Sequence, residues 1–165
     1  MHETQVFLLV EDNEDDALLL KKAFERGNLM NPLHWLKTGE EALDYLKGTG
    51  RFTNRKEYPL PAILLLDLKL PGISGFDVLR WVRSQPDLAR LRVIVLTSSE
   101  SIQDVNLAYR LGANSFLVKP MDLDHLCRMT EALQGYWIWL DSAPEVSRPE
   151  KKKEPTEPTA IGKPA

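Results

Sequence analysis

Acidic residues stand at the ends of two apolar runs in this chain. Glu11 and Asp12 follow the run at residues 5–10, and Asp67 follows the run at residues 62–66. Carboxylates brought close together would repel one another, so at least one of them would take up a proton unless a cation were bound. Carboxylate oxygens, with a backbone carbonyl and water, are the ligands that Mg²⁺ prefers. If the fold brings these three acids together, they predict a magnesium site.

A hydroxyl and an amine end two later apolar runs. Thr97 follows residues 93–96, and Lys119 follows residues 115–118. A carboxylate beside a divalent cation can attack a phosphoryl group and form an acyl phosphate. An ammonium group and a hydroxyl would offset the charge of the transferred group and donate hydrogen bonds to its oxygens. Asp67 alone could equally cap a helix or a turn, but together with these neighbours it is predicted to accept a phosphoryl group.

Five apolar runs alternate with five segments of helical periodicity, and this alternation determines where the polar residues meet. The predicted strands span residues 5–10, 33–36, 62–66, 93–96 and 115–118, and the predicted helices span residues 14–26, 39–46, 76–83, 102–111 and 123–140. Strands that are apolar throughout are typical of a parallel sheet covered on both faces. We therefore predict an α/β fold, a flavodoxin-like doubly wound (βα)5 three-layer sandwich with parallel sheet order 2-1-3-4-5. Ligands bind such sheets at the carboxyl ends of the strands, where the polar residues stand.

Length and composition indicate one folded domain followed by a polar tail. Of the 165 residues, 43% are apolar and 27% are charged, which is ordinary for a globular domain. Residues 142–165 hold five of the eleven prolines and almost no apolar side chains, so this segment cannot bury enough surface to offset its ordering entropy. We predict a folded domain over residues 1–141 and a disordered Pro-, Lys- and Glu-rich tail over residues 142–165.

The charge and the short apolar runs argue against several classes of partner. A net charge of −3 disfavours a nucleic-acid binder that holds phosphates mainly through lysine and arginine. No run approaches the roughly 20 apolar residues that span a bilayer, and the run at residues 6–10 is too short for a signal peptide. Cys127, the single cysteine, cannot form an intramolecular disulfide, which favours a reducing compartment. The expectation is a cytoplasmic protein without membrane contact or direct nucleic-acid contact.

Four segments of the chain resemble the receiver family of two-component signalling. They are LLVEDN at residues 8–13, LLLDLKLPGISG at 64–75, VIVLTSS at 93–99 and SFLVKP at 115–120. The resemblance extends over about residues 5–140 and implies a single-domain response regulator in a phosphorelay. A sensor histidine kinase would supply the phosphoryl group, and the output would be a protein–protein interaction. The chain would catalyse only its own phosphorylation and dephosphorylation, and would not be an enzyme that acts on other substrates.

The resemblance also implies roles for the residues of the acidic segments. Asp67 matches the phosphorylated aspartate and a metal ligand of the family. Asp12 matches a direct Mg²⁺ ligand, and Glu11 matches an acid that mostly holds a metal-bound water. Lys69 would complete the metal site through its backbone carbonyl, and its side chain is expected to tune the lifetime of the acyl phosphate.

Further roles are implied for residues near the last two strands. Thr97 and Lys119 match the pair that senses the phosphoryl group, and Ser99 stands at a second position expected to tune its lifetime. The bond between Lys119 and Pro120 is expected to be cis, a form found in about 5–6% of X–Pro bonds. Phe116 stands where the family places its switch aromatic, although a core position in the strand explains it equally well.

The long insert at residues 47–61 and the aromatic-rich last helix resemble the regulators that serve bacterial and cyanobacterial phytochromes. This resemblance implies a phytochrome-type kinase as partner and a homodimer formed through the fourth helix, the fifth strand and the fifth helix. Helical periodicity leaves four apolar side chains of these helices outside the buried stripes, namely Leu107, Leu111, Ile138 and Trp139. They are candidate interface residues, unless the tail folds back and covers them.

Other functions fit the sequence less well. Phosphatases and phosphotransferases of the haloacid-dehalogenase type also use an aspartate nucleophile, but they carry a second aspartate two residues later, where this chain has Lys69. A dinucleotide-binding domain is disfavoured because the loop after the first strand is acidic instead of glycine-rich. A transcription factor is disfavoured because the tail is too short and too proline-rich for a DNA-binding domain. A receiver that relays phosphate to another histidine protein, or acts as a sink for it, remains an open alternative.

Overall fold

The computed structural model describes the backbone of residues 5–139 and the side chains of residues 5–135. Five parallel strands form one sheet in the order β2-β1-β3-β4-β5, which confirms the predicted topology. The strands are β1 (Phe7–Val10), β2 (Leu33–Leu36), β3 (Ile63–Leu66), β4 (Arg92–Thr97) and β5 (Ser115–Val118), and the helices are α1 (Glu14–Arg26), α2 (Gly39–Lys47), α3 (Gly75–Ser84), α4 (Ile102–Arg110) and α5 (Leu123–Trp139). The predicted tail at residues 142–165 and the side chains of Ile138 and Trp139 lie outside the described part.

Strands β1, β3 and β4 are buried on both faces, which explains their continuous apolar sequences. Alternate side chains of a strand point to opposite faces of the sheet. In β3, Leu64 and Leu66 pack in the layer formed with α2, α3 and α4, whereas Ile63 and Leu65 pack in the layer formed with α1 and α5. The molecule is therefore the predicted three-layer sandwich.

The strand register places the carboxyl ends of the central strands level with one another. Leu66 at the end of β3 pairs with Val10 of β1 on one side and with Val95 of β4 on the other. Thr97 at the end of β4 pairs with Val118 at the end of β5. The residues that follow β1, β3 and β5 therefore emerge at one edge of the sheet, together with the end of β4.

Side-chain caps begin the first three helices shortly after a strand or its loop. Asn13 Oδ1 accepts a hydrogen bond from the Asp16 N–H at 3.0 Å, and Thr38 Oγ1 accepts one from the Glu41 N–H at 3.1 Å. Ser74 forms a capping box with the third residue of α3. Such a cap contributes about 1 kcal/mol. Because α1 starts so soon after β1, the acidic segment between them is short and held at both ends.

The insert at residues 47–61 is a packed extension of α2, although its polar composition suggests a free loop. The Arg55 guanidinium donates to the carbonyls of Tyr45 and Leu46 at 2.7 Å and of Tyr58 at 3.1 Å. It thereby adds a charged donor to the last carbonyls of α2, of which that of Tyr45 also accepts from the Gly48 N–H at 3.1 Å. The ring of Phe52 lies 5.1 Å from the rings of both Tyr45 and Tyr58, so the insert adds an aromatic cluster to the core.

The prediction of a cis bond between Lys119 and Pro120 is wrong. No peptide bond within residues 5–139 is cis. The trans form of an X–Pro bond is favoured by about 0.5–1 kcal/mol. The Lys119 N–H donates to the Thr97 carbonyl at 2.8 Å, so the chain stays paired with β4 up to Lys119. Lys119 therefore reaches the sheet edge without a cis turn.

Leu107 and Leu111, which the periodicity places outside the buried stripe of α4, each keep part of their surface exposed. Both are partly buried, and Leu111 packs against the core layer of α2 and α3. The Leu111 N–H still donates to the Leu107 carbonyl at 2.9 Å, so Leu111 continues the helical backbone as the C-cap of α4. Tyr109 is 48% exposed, and its hydroxyl accepts a hydrogen bond from the Phe116 N–H at 3.1 Å.

Candidate functional site

The three predicted acids meet at the carboxyl ends of β1 and β3. The Asp67 N–H donates to the Val10 carbonyl at 3.1 Å, which sets Asp67 beside the residue that follows β1. Carboxylate oxygens of Glu11, Asp12 and Asp67 all lie within 4.8 Å of one another. Glu11 is 2% exposed and Asp67 5% exposed, whereas Asp12 is exposed. The group is therefore buried on one side and open to water on the other.

This donor set fits a small hard cation such as Mg²⁺. All three side chains offer oxygen ligands, and the open side leaves room for the waters that Mg²⁺ retains. Without a cation, burial raises the pKa of Glu11 to about 7, against hydrogen bonds from Lys119 and the Asn13 N–H that lower it, while the charge of Asp67 raises it further. Such an upward shift is what crowded, buried carboxylates show when no cation offsets their charge.

The Lys119 ammonium lies among three carboxylates at this edge. Its Nζ forms a short ion pair with Glu11 and lies 3.1 Å from an oxygen of Asp16 and 3.1 Å from an oxygen of Asp67. Burial lowers the pKa of Lys119, but the bonds to Glu11 and Asp67 outweigh it, and the net shift is upward. Lys119 is therefore charged. Asp16 was not predicted, although an acid in the first turn of the helix after the acid pair was a signal that could have found it.

Thr97 lies at the same edge and is fully buried. Its Oγ1 accepts a hydrogen bond from the Ser99 N–H at 3.4 Å. The Ser99 hydroxyl donates in turn to Asp104 of α4 at 2.5 Å and accepts from the Ser101 N–H at 3.3 Å. The loop between β4 and α4 is thereby tied to the helix that follows it. Asp104 is a second residue that the sequence did not single out.

The loop after Asp67 is held on both sides. Asp67 Oδ1 accepts a hydrogen bond from the Lys69 N–H at 3.3 Å, and the Glu40 carboxylate of α2 accepts one from the Ile73 N–H at 3.1 Å. A Cβ on Gly75 would lie 2.0 Å from the Asp67 carbonyl oxygen, so a side chain at this position would displace the loop. The start of α3 therefore packs closely against the backbone of Asp67 and restricts its position.

Phe116 occupies β5 and is partly buried against the layer formed with α2, α3 and α4. This position is compatible with both roles considered for it, the switch aromatic and the core residue.

Of the predicted site residues, the structure brings Glu11, Asp12, Asp67 and Lys119 into one cluster, with Thr97 at the same edge. Across the described part of the chain, no helix is long and apolar enough to cross a membrane.

Comparisons with known proteins agree with this geometry. The family described as "Response regulator receiver domain" matches residues 7–131. The probable methanogenesis regulatory protein FilR2 of Methanothrix harundinacea is 39% identical over 142 residues, which cover 84% of this chain and 87% of FilR2. Response regulator Rcp1 of Synechocystis is 34% identical over 134 residues, which cover 81% of this chain and 89% of Rcp1.

Solved structures of response regulators superpose on most of the chain. RPA3017, from red light signalling in R. palustris, gives a TM-score of 0.80 at 35% identity, and Mn²⁺-bound Rcp1 gives 0.75 at 33%. The phosphorylated cyanobacterial phytochrome response regulator RcpA gives 0.77 at 30% identity. Each match covers 86% of this chain and 99% of the other. The chain therefore belongs to the response regulator receiver family, and phytochrome response regulators are among its similar relatives.

Proposed function

We propose that this protein is a phospho-switch in which a sensor histidine kinase transfers a phosphoryl group to Asp67 with the help of Mg²⁺. The observation that carries the proposal is the position of Asp67, buried beside the Lys119 ammonium and the carboxylates of Glu11 and Asp12. The relative RcpA has been solved in phosphorylated form, and the relative Rcp1 with bound Mn²⁺. Both observations support an acyl-phosphate site that depends on a divalent cation.

The proposed transfer forms one bond and breaks one. A carboxylate oxygen of Asp67 attacks the phosphorus, the bond from phosphorus to the imidazole nitrogen of the kinase histidine breaks, and the imidazole takes up a proton. Lys119, which is charged at neutral pH, offsets the charge on the transferred oxygens. Thr97 donates its hydroxyl to one of these oxygens. Hydrolysis of the acyl phosphate releases inorganic phosphate and restores the carboxylate.

The metal ligands proposed are Glu11, Asp12, Asp67 and the backbone carbonyl of Lys69. Bound Mg²⁺ would supply positive charge opposite the phosphoryl oxygens during transfer. Asp12 is the exposed member of the acid group, and its side would carry the metal-bound waters. Glu11, which is buried and paired with Lys119, would act on the metal mostly through one of those waters.

The test is phosphate uptake from a small acyl-phosphate donor, with and without Mg²⁺. We expect uptake by the parent protein only when Mg²⁺ is present, and no uptake by Asp67→Asn. The matched control is Asp15→Asn, which removes the same charge from an exposed residue of the first turn of α1 and should be labelled like the parent. Label on Asp67→Asn at the parent level, or uptake unaffected by chelation of Mg²⁺, would contradict the proposal.

The proposed output is a change in protein contact through the face formed by α4, β5 and α5. Apolar side chains are exposed there and in the adjoining loop, and they include Ile102, Tyr109, Val118 and Met121, with Ile102 68% and Met121 96% exposed. This surface supports a homodimer, with Leu107 and Leu111 contributing their exposed parts. Sedimentation with and without a phosphoryl mimic should show a larger dimer fraction with the mimic, and Ile102→Ser should reduce it.

The proposed kinase is of the phytochrome type, because two of the similar structures are response regulators of red light signalling and of a cyanobacterial phytochrome. FilR2 is named instead as a methanogenesis regulator, so phosphoryl-transfer assays with purified candidate kinases would identify the partner.

We further propose that residues 1–141 form the receiver domain, that residues 142–165 are a tail outside it, and that the protein works in the cytoplasm without binding nucleic acid. Slow turnover of phosphoester substrates, or none, would agree with a signalling role rather than an enzymatic one.

A further inference from the structure

The Lys119 ammonium uses all its hydrogen-bonding capacity on carboxylates. A lysine ammonium has three N–H donors, and the structure gives it three partners, Glu11, Asp16 and Asp67. The side chain of Lys119 is 13% exposed, so water contributes little to its solvation. These three acids therefore decide where the ammonium lies.

Only one of the three partners lies outside the group of acids that could hold a metal ion. Glu11 and Asp67 belong to that group together with Asp12, whereas Asp16 does not. A divalent cation in the group would draw the oxygens of Glu11 and Asp67 toward itself and would repel the neighbouring ammonium. Asp16 would then be the partner that still holds Lys119.

The position of Asp16 suits this role. It stands in the first turn of α1, and its side chain is 45% exposed. The cap of this helix uses the Asp16 backbone N–H, which donates to Asn13, and does not need the Asp16 side chain. Its carboxylate accepts a hydrogen bond from Lys119 across a sequence separation of 103 residues. The side chain can therefore be changed without removing the cap.

We propose that Asp16 is a positioning residue that holds the Lys119 ammonium beside the metal site, so that a divalent cation can enter while Lys119 stays within reach of Asp67. The inference rests on the proposed function of this site. It assigns to α1 a part in metal affinity, although Asp16 itself is not a ligand. Its effect on the metal passes through Lys119.

The test is a double-mutant cycle on the full chain, read as Mg²⁺ affinity by calorimetric titration. Asp16→Asn should weaken Mg²⁺ binding about three- to tenfold more than Asp15→Asn does. Asp15 is the matched control, since it loses the same charge in the same helical turn and is exposed. In a Lys119→Met background the two substitutions should weaken binding equally. Asp16→Glu, which keeps the carboxylate, should bind Mg²⁺ within about twofold of the parent.

Three results would overturn the inference. Equal effects of Asp16→Asn and Asp15→Asn in the parent would remove any special role for Asp16. An excess effect of Asp16→Asn that persists without Lys119 would show that Asp16 acts on the metal directly. Binding by Asp16→Glu as weak as that of Asp16→Asn would show that the carboxylate is not what matters. Failure of the parent to bind Mg²⁺ at all would count instead against the proposed function, and circular dichroism checks that each variant is folded.

Discussion

Glu11 shares its carboxylate between the Lys119 ammonium and the cation that we propose at the site. In the absence of a cation, burial raises its pKa from the ordinary value of 4.5 to about 7. The folded protein therefore binds a proton at Glu11 more tightly than the unfolded chain does. A group whose pKa is raised on folding contributes stability below its unfolded pKa and loses that contribution as the pH rises through its folded pKa. For Glu11 this window extends from 4.5 to about 7.

The first prediction concerns the pH dependence of stability in metal-free buffer. The parent should lose stability as the pH rises from about 5 to about 8, whereas Glu11→Gln, which lacks the titrating group, should not. The free energy of unfolding of the variant minus that of the parent should therefore increase by about 1–3 kcal/mol over this range. Urea denaturation in the presence of a chelator measures both proteins. Glu14→Gln, at a side chain that is 66% exposed, is the control and should differ from the parent by the same amount at both pH values. A Glu11→Gln difference that does not change with pH would contradict the prediction.

At the scale of elements, the loop between β4 and α4 is held by the Ser99 hydroxyl. This hydroxyl donates to Asp104 at 2.5 Å and accepts from the Ser101 N–H at 3.3 Å, so it joins the end of β4 to the first turn of α4. Thr97, which we propose to contact the phosphoryl group, stands two residues earlier. Movement of Thr97 toward a phosphoryl group would therefore be transmitted to α4 through Ser99.

The second prediction tests this link. Ser99→Ala removes both hydrogen bonds, each with a net value of about 0.5–1.5 kcal/mol, so amide exchange in the first turn of α4 should become roughly five- to 150-fold faster. Hydrogen exchange followed by NMR measures it residue by residue. Ser84→Ala, which removes a hydroxyl that donates to the Trp81 carbonyl of α3, is the control and should leave α4 unchanged. Unchanged protection of α4 in Ser99→Ala would show that the loop is held by other contacts.

The elements differ in how far the sequence predicts them. Strands β1 and β3 are buried on both faces, so their sequences are apolar throughout and identify them directly. The partial burial of Leu111 could not be predicted because it depends on packing against the core layer of α2 and α3 and not on helical periodicity. The packing of the insert could not be predicted because it depends on the carbonyls that Arg55 meets at the end of α2.

The residues of the candidate site also differ in how far the sequence predicts their positions. Residues that directly follow strands, such as Glu11 and Asp67, could be placed at one edge from the order of the strands alone. Asp16 could not be joined to Lys119 in this way, because their contact depends on the direction of α1 and spans 103 residues of sequence. The Lys119–Pro120 bond could not be predicted either, because the isomer of an X–Pro bond depends on local contacts and not on residue type.

At the scale of the whole molecule, Arg83 connects segments that are distant in sequence. From the last turn of α3 it donates to the carbonyls of Gly112 at 2.8 Å and Leu91 at 2.7 Å, and to the side chain of Asn114 at 2.9 Å. Asn114 also accepts from the Val93 N–H at 2.8 Å. Burial lowers the pKa of Arg83, but an arginine stays charged at any pH where the protein is folded. One guanidinium thus joins α3 to the segments before β4 and before β5.

The third prediction is that Arg83→Met destabilises the whole domain. It leaves several carbonyls without their charged donor and should lower the free energy of unfolding by about 2–4 kcal/mol. Arg80→Met is the control, because Arg80 pairs with Asp77 at a side chain that is 59% exposed and a surface pair contributes about 0–1 kcal/mol. Urea denaturation compares the two, and equal losses would show that Arg83 is no more than a surface residue.

The hydrogen bond between the Tyr109 hydroxyl and the Phe116 N–H has a consequence for how copies of the protein meet. β5 is an outer strand of the sheet, and an outer strand offers its free backbone groups as a template for strand addition and fibril growth. The Tyr109 phenol accepts a hydrogen bond from one of these groups, the Phe116 N–H of β5, so this N–H is not available to another strand. A second copy that approached this side would therefore meet side chains instead of extending the sheet at this position.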